Sequence, residues 1–511
     1  MAQPPAQQGV IAKRYTKLSM TRQPFLDRGR ECSALTVTHL LPPEGTKDNK
    51  LRAPYNGIGG QGVESLTSKL TLALFPSNLP FFRLAIDDFA LAELTQDANM
   101  RGEAEKGLNK IERAVAMDVS TSALRVPLGV AIEHLIVTGN VLFFRDPESG
   151  RGRAIPLSHY VVVRDPLGNV LEFVVEEEIG LALLPPEVAA QITAGEVEGA
   201  DPDRPVKLYT HVVRKARKWD VEQEAAGIRI ESASGSYPLD QCPWLPLRFT
   251  LIDGEDYGRS FVEGRYADLS TLELLTKALV KFSAAAAKVV FGVRTNSTTK
   301  ARDLAKAESG DFVNGDLEND VTTLQLNKAA DFQVASAMIG KIEDRLAYAF
   351  MLNSALQRNG ERVTAEEIKR LAAELDSCLG GIHALLAQEL QLPLVQIIMA
   401  SKVKRRELPK LPKGFVKPVI VTGVDALGRG SDLDNLMTGI NALAPIPNAL
   451  ARLKGDEVGK RVFAALQVST DGLFMSDEEV QQQQQQQAMQ QMAQAATPAI
   501  AKAATEGAPA Q

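Results

Sequence analysis

Hydrophobic positions recur at three- and four-residue intervals over much of the first 140 residues, the spacing of one face of an α-helix. Val63–Phe75 and Ala104–Leu124 carry the pattern, and Val126–Val137 continues it until Gly139-Asn140 interrupts. A helical region is therefore predicted over 15–140, behind a polar, Pro/Gln-rich arm at 1–14 that is expected to be mobile. The period changes near Val141. VLFFRD, HYVVVRD, NVLEFVVEEE, KLYTHVVRKA and GIRIES are short β-branched and aromatic runs between Gly, Pro and Asp turns, so 141–255 reads as a β-rich insert.

A long helix is predicted next, from about Ser260 to Val290. Val262, Tyr266, Leu269, Leu272, Leu275, Leu279, Phe282, Ala286 and Val289 line one side of it, and about 30 residues would make a rod of about 45 Å. Gly310-Asp311 and Gly315-Asp316 mark an irregular region over 293–333, and helices resume from about Val334 to Leu390. Within FMLNSALQRNGERVTAEEI, starting at Phe350, residues Met351, Leu352 and Leu356 form an apolar helical face. Gly360 sits at a C-cap position, and Thr364 with Glu367 makes a capping box. A basic, Pro-interrupted connector follows at 401–418, ahead of a helix start at Ser431/Asp434. Ser476 and Glu479 form another box before a Gln/Ala-rich tail, predicted helical over 477–495 and disordered after Thr497.

Composition narrows the class. With 511 residues, 45% hydrophobic and 23% charged, the chain can bury several ordinary globular cores. A net charge of −6 argues against a generally basic nucleic-acid binder and leaves room for local basic stripes. Cys32, Cys242 and Cys378 are too few and scattered for a disulfide framework, which fits a reducing compartment. No signal peptide and no membrane-spanning stretch are expected from the pattern.

The catalytic motifs weaken on inspection. Gly57, Gly59 and Gly62 spell GxGxxG before a helix, but Arg52-Ala53-Pro54-Tyr55-Asn56 ahead of them is no buried strand, so a flexible entry to the helix is preferred over a phosphate cradle. Asp316, Glu318 and Asp320 imitate a calcium loop, yet Val321 and Asn327 stand where Gly and Glu are needed. The five histidines are dispersed, and neither GxSxG nor GxxxxGK[ST] occurs. No cofactor and no metal are expected. The basic groups carry more: Lys277, Lys281 and Lys288 share one helical face, and Arg214, Lys215, Arg217, Lys218 and Trp219 cluster in the β-rich insert. A third cluster runs from Lys402 to Lys417, and Arg358 and Arg362 flank Gly360.

FMLNSALQRNGERVTAEEI resembles the head–tail connector, or portal, proteins of short-tailed double-stranded DNA phages. SLTSKLTLALFP, LIVTGNVL, YVVVRDPLGNVLEFV, IDGEDYGRS, SGDFVNG, LGGIHALLAQELQLPLV and GRGSDLDNL are similar to segments of the same family, over roughly residues 15–475. The resemblance implies an α+β, predominantly helical portal fold assembled as a closed ring, usually of twelve copies, in the virion at one capsid vertex. It implies wing helices at 15–140 and 334–400, a clip within 141–255, a stem helix at 256–292, a tunnel loop within 293–333, and a crown over 401–475. Double-stranded DNA would pass through the ring. The terminase large subunit, scaffolding and major capsid proteins, a tail adaptor and internal core proteins would be its partners. Lys277, Lys281, Lys288, Arg358 and Arg362 are then candidates for facing DNA, and Arg214, Lys215, Arg217, Lys218 and Trp219 for docking a partner. The role implied is structural rather than enzymatic. The competing readings are a helical DNA-binding scaffold and a nucleotide-binding enzyme built on Gly57–Gly62.

Overall fold

The computed structural model describes residues 9–45, 52–76, 81–86, 98–121, 124–194, 201–286, 291–323, 329–352, 381–409, 416–420, 440–441 and 458–459. The chain divides into two compact units, Met1–Gly423 and Val424–Gln511. In the second, only the two short helical pieces at 440–441 and 458–459 are described. The cap at Ser431, the box at Ser476 and the Gln-rich tail lie outside the described residues, as do Leu356, Gly360 and Thr364 of the segment that follows Phe350.

The first unit is a mixture of helix and sheet. Among the described residues it opens with helices α1 (Val10–Ala34), α2 (Ile58–Leu74), α3 (Ala98–Thr121) and α4 (Arg125–Thr138), with strand β1 (Phe82–Ile86) between α2 and α3. Gly139 ends α4 in the left-handed region at φ 76°, and its N–H donates to the Leu135 carbonyl, a glycine C-cap that turns the chain into strand. Strands β2 (Asn140–Arg145), β3 (Gly152–Pro156) and β10 (Trp244–Arg248) form a three-stranded antiparallel sheet with β2 at its centre. A second antiparallel sheet runs β4 (Tyr160–Arg164), β5 (Val170–Gly180), β6 (Pro205–Arg214), β7 (Lys218–Ala225) and β8 (Ile228–Arg229), with β9 (Gly235–Pro238) also paired to β7. A short helix, α5 (Pro186–Thr193), lies between β5 and β6 in sequence.

The expected mobile arm is helical from Val10 onward. Its first turn is held from outside: the Ile11 and Ala12 N–H groups donate to the two carboxylate oxygens of Glu224 on β7, at 3.0 and 3.2 Å. These are two of the donors a helix start leaves open, and an anion there also suits the helix dipole. Farther along α1, the buried Arg22 donates to the Tyr15 hydroxyl and to the carbonyls of Leu157, Ser158 and Tyr160. Polar N-terminal composition is thus overridden by docking on the second sheet.

The main core joins α2, α3, α4 and the three-stranded sheet to α6 (Tyr266–Ala286), α7 (Ala329–Ala349) and a broken helix near residue 390. That helix runs as α8 (Ile382–Leu386), a π-turn at Ala387–Gln391, and α9 (Leu392–Lys404). Over Ala384–Lys404 it is long and apolar enough to cross a membrane, with a mean hydropathy of 1.3, contrary to expectation. Leu386, Leu390, Leu394, Val395 and Ile398 are instead fully buried in the protein core, which accounts for the apolar run.

The stem helix expected from about 260 begins only at Tyr266. Before it, a bridge joins Thr250 and Arg259, Asn140 pairs with Gly258, the Val262 N–H donates to the Ile136 carbonyl, and a 3-10 turn at Glu263–Arg265 leads into the helix. Residues 287–290 lie outside the described residues. At the end of α7, Met351 and Leu352 do not continue a helix. α7 stops at Ala349, Met351 takes φ 58°, and its carbonyl accepts a hydrogen bond from the buried Lys69 ammonium at 2.5 Å. A cation at this position complements the carbonyls that end α7.

Two of the three GxGxxG glycines, Gly59 and Gly62, are packing residues. Gly59 and Gly62 lie inside α2, and a Cβ at Gly62 would sit 2.4 Å from the Phe350 ring, while one at Gly59 would sit 2.6 Å from the Leu35 carbonyl. The helix uses them to touch the core, and the Asn56 side chain already accepts from the Ile58 N–H at the helix start, at 2.9 Å.

His134 on α4 is 5% exposed, and burial, with a smaller push from His39, lowers its pKa to about 4. The folded protein holds it neutral, whereas the unfolded chain takes up a proton below about 6.5. Its contribution is therefore complete above about pH 6.5 and is lost as pH falls toward 4, by up to about 3 kcal/mol. Thermal midpoints measured from pH 7 to 4.5 should fall less steeply for His134→Leu than for the parent chain; parallel profiles would contradict this.

Candidate functional site

Helices α6 and α7 form an antiparallel hairpin that leaves the body. At its base Leu269, Leu272, Ile342, Leu346 and Phe350 are buried in the main core. Asn56 and Tyr55, just ahead of α2, stitch the base together: both N–H groups donate to Glu273 on α6, and the Asn56 side chain donates to Glu343 on α7. Arg345 pairs with Asp268 across the two helices at 2.7 Å. Farther out, the Phe282 and Phe332 rings meet at a tilt of 59° with centroids 4.2 Å apart, while Val280, Val334 and Met338 are exposed.

The hairpin carries residues 291–323 at its far end. There β11 (Phe291–Val293) pairs antiparallel with β12 (Val321–Thr323), and single helical turns occupy Ala301–Leu304 and Leu317–Asp320. The apparent calcium loop is part of this tip. Asp316 caps the second turn by accepting from the Asn319 N–H, and Asp320 accepts from the Thr299 hydroxyl. Among the described residues no group of three or more His, Cys, Asp or Glu side chains could hold a metal.

Lys277 and Lys281 lie one helical turn apart on α6, with Leu274 and Ala278 on the same face. Lys281 is exposed, and Leu274 is 66% exposed. Lys277 is half-buried at the edge of a concavity of about 400 Å³ that it shares with Arg30, Leu41, Arg52, Glu273 and Leu274. The structure thus brings two of the predicted lysines together. Lys288, Arg358 and Arg362 lie outside the described residues.

The second predicted cluster divides. Lys215 N–H donates to the Lys218 carbonyl at 2.8 Å, closing the turn between β6 and β7, and Arg214, Lys215, Arg217 and Lys218 are exposed around it. Trp219 does not join them. It is 8% exposed, packs 6.1 Å from Phe173, and its indole N–H donates to the Leu239 carbonyl, so it is a core residue rather than a docking residue. The β-rich insert also packs along α1 and α4 as part of the body; it is not carried outward as the tip is. The signal for the tip was present as two helical periods flanking a Gly-rich, charge-segregated stretch.

Beneath that sheet, the π-turn aims Glu389 at two arginines whose side chains are each 4% exposed. Arg248 donates to Glu389 through its backbone N–H and guanidinium, the closest contact being 2.5 Å, and Arg164 lies 3.7 Å away. Arg164 also donates to the carbonyls of Asp256, Gly168 and Pro246. Burial pulls its pKa down to about 10 against the opposing pull of Glu389.

The sequence profile of the bacteriophage head to tail connecting protein family matches residues 8–473, a span that takes in the body, the hairpin and its tip. The chain belongs to this family. It is similar to the portal protein of Escherichia phage T7, 37% identical over 490 residues that cover 93% of this chain and 90% of that one. The portal protein of Enterobacteria phage T3 is 39% identical over 481 residues, covering 91% and 88%. The portal protein of Pseudomonas phage phiKMV is 30% identical over 470 residues, covering 89% and 90%. Among solved structures, a chain from the virion of a native gene transfer agent particle overlaps 81% of this chain and 90% of its own length, at 13% identity and a TM-score of 0.34. That last likeness is too loose to argue from.

Proposed function

We propose that the chain is the portal subunit of a short-tailed phage: a virion component at the portal vertex, through which DNA enters and leaves the capsid. The observation that carries this is the match to portal proteins over 93% and 91% of this chain and 90% and 88% of theirs. The finer reading is a closed ring, usually of twelve copies, in which the body forms the wing and α6 and α7 form the stem. A ring needs heterologous contacts, one face of each copy meeting a different face of the next. The exposed Leu274, Val280, Val334 and Met338 on the hairpin supply apolar surface for such contacts.

In this reading the docking end is the tip at 291–323 rather than the β-rich insert at 141–255, because the insert is packed into the body. The terminase large subunit during packaging, and later the tail adaptor, would meet that end. Scaffolding, major capsid and internal core proteins would meet the body and crown. Lys277, Lys281 and Lys288 would place spaced positive charge toward DNA, with Arg358 and Arg362 as a further pair. Twelve copies at −6 each carry about −72 formal charges, so sparse basic rings in an acidic wall would guide DNA without gripping it. Replacing the three lysines by Gln is expected to change packaging yield or DNA retention while rings still form. Unchanged yield and unchanged retention would reject the DNA-facing assignment.

A further inference from the structure

The tip has no core of its own. Across 291–322 the only buried residue is Thr299, while Phe291, Phe312 and Leu317 are exposed, Phe312 fully so. A segment of this size that buries no apolar side chain cannot offset the entropy of ordering its backbone. Its charge is also divided. Residues 291–306 carry Arg294, Lys300, Arg302 and Lys306 against Asp303 alone, whereas 307–323 carry Glu308, Asp311, Asp316, Glu318 and Asp320 with no basic residue. None of these basic side chains is paired with an acidic one within the chain, among the described residues.

We propose that the tips dock on one another: the acidic, Phe312-bearing limb of one copy seats on the basic limb of the next, head to tail. The two limbs have opposite charge and lie on one chain, so identical copies present complementary faces. Opposed limbs in contact fall within the roughly 8 Å over which charges act at physiological salt. The contact buries Phe312 and gives the tip the apolar burial it lacks. This rests on the ring reading and adds which surfaces close the ring at the far end of the hairpin.

The test uses the full-length chain, with particle mass as the readout. Glu308→Lys/Glu318→Lys reverses the acidic limb, and Arg302→Glu/Lys306→Glu reverses the basic limb; none of these four side chains has a partner within the chain among the described residues. Each variant alone is expected to lower the ring fraction at least tenfold, and Phe312→Ala should lower it without changing the thermal midpoint of dissociated chains. Mixing the two reversed variants should restore rings of alternating copies, a rescue that only contacts between copies can give. Parent-like rings from either reversed variant, or no rescue on mixing, would overturn the proposal. Failure of the parent chain to form rings would sink the ring reading itself, a separate outcome.

Discussion

Glu389→Ala is expected to destabilise the first unit by about 3–5 kcal/mol, because it leaves two buried guanidinium groups facing each other with their shared carboxylate gone. Arg248 would lose the acceptor of its backbone N–H and the only carboxylate its guanidinium donates to among the described residues, keeping just a 3.4 Å contact to the Gly168 carbonyl. Arg164 would keep its carbonyl acceptors and Asp256, but without the nearest compensation for Arg248. The π-turn that aims Glu389 joins α8 and α9 to strand β10, so the loss should loosen the helix from the sheet as well as lower the thermal midpoint. Glu389→Gln retains acceptor geometry and should fall between the parent and Glu389→Ala. Thermal unfolding of the three proteins checks this. A Glu389→Ala chain as stable as the parent would show that the arginines are solvated or paired in another way.

Phe350→Ala should cost a similar amount, about 3–5 kcal/mol, by opening a cavity at the hairpin base. The Phe350 ring is fully buried, lies 5.3 Å from the Phe261 ring and presses on α2 at Gly62. Gly62→Ala alone should also destabilise, since its Cβ would meet that ring. In the double variant the added methyl enters the space the ring has left, so the two costs should add to less than their sum. Strict additivity in a thermal-unfolding cycle would mean the two positions are not in contact.

Much of this architecture could be read from the chain, and the failures have physical causes. Helices α2, α3 and α4, the Gly139 cap and the strands after Val141 follow from period and turn chemistry, which act locally. The start of α6 did not follow, because the chain at Glu263–Arg265 fits the helical period but winds as a 3-10 turn before α6 begins. Nor did β1 (Phe82–Ile86) pairing with β13 (Val416–Ile420), whose partners lie more than 300 residues apart and share no local signal. Residues 10–14 looked like a loose arm because nothing local reveals that Glu224 waits for them. Among the site residues, Lys277 and Lys281 were correctly placed on one helical face, since i,i+4 spacing decides that. Trp219 was misjudged, because a tryptophan beside exposed basic residues reads as surface until its alternating strand position is known to point inward. The tip reads in sequence only as an irregular stretch, because its two short strands at Phe291–Val293 and Val321–Thr323 pair across about 30 residues with no local signal.

Particle imaging combined with mass measurement on the purified chain tests the central claim most directly. Twelve 55.3 kDa chains give about 664 kDa. Closed rings near that mass, with a central opening, are the predicted result. Particles that remain at 55.3 kDa at high protein concentration would contradict it.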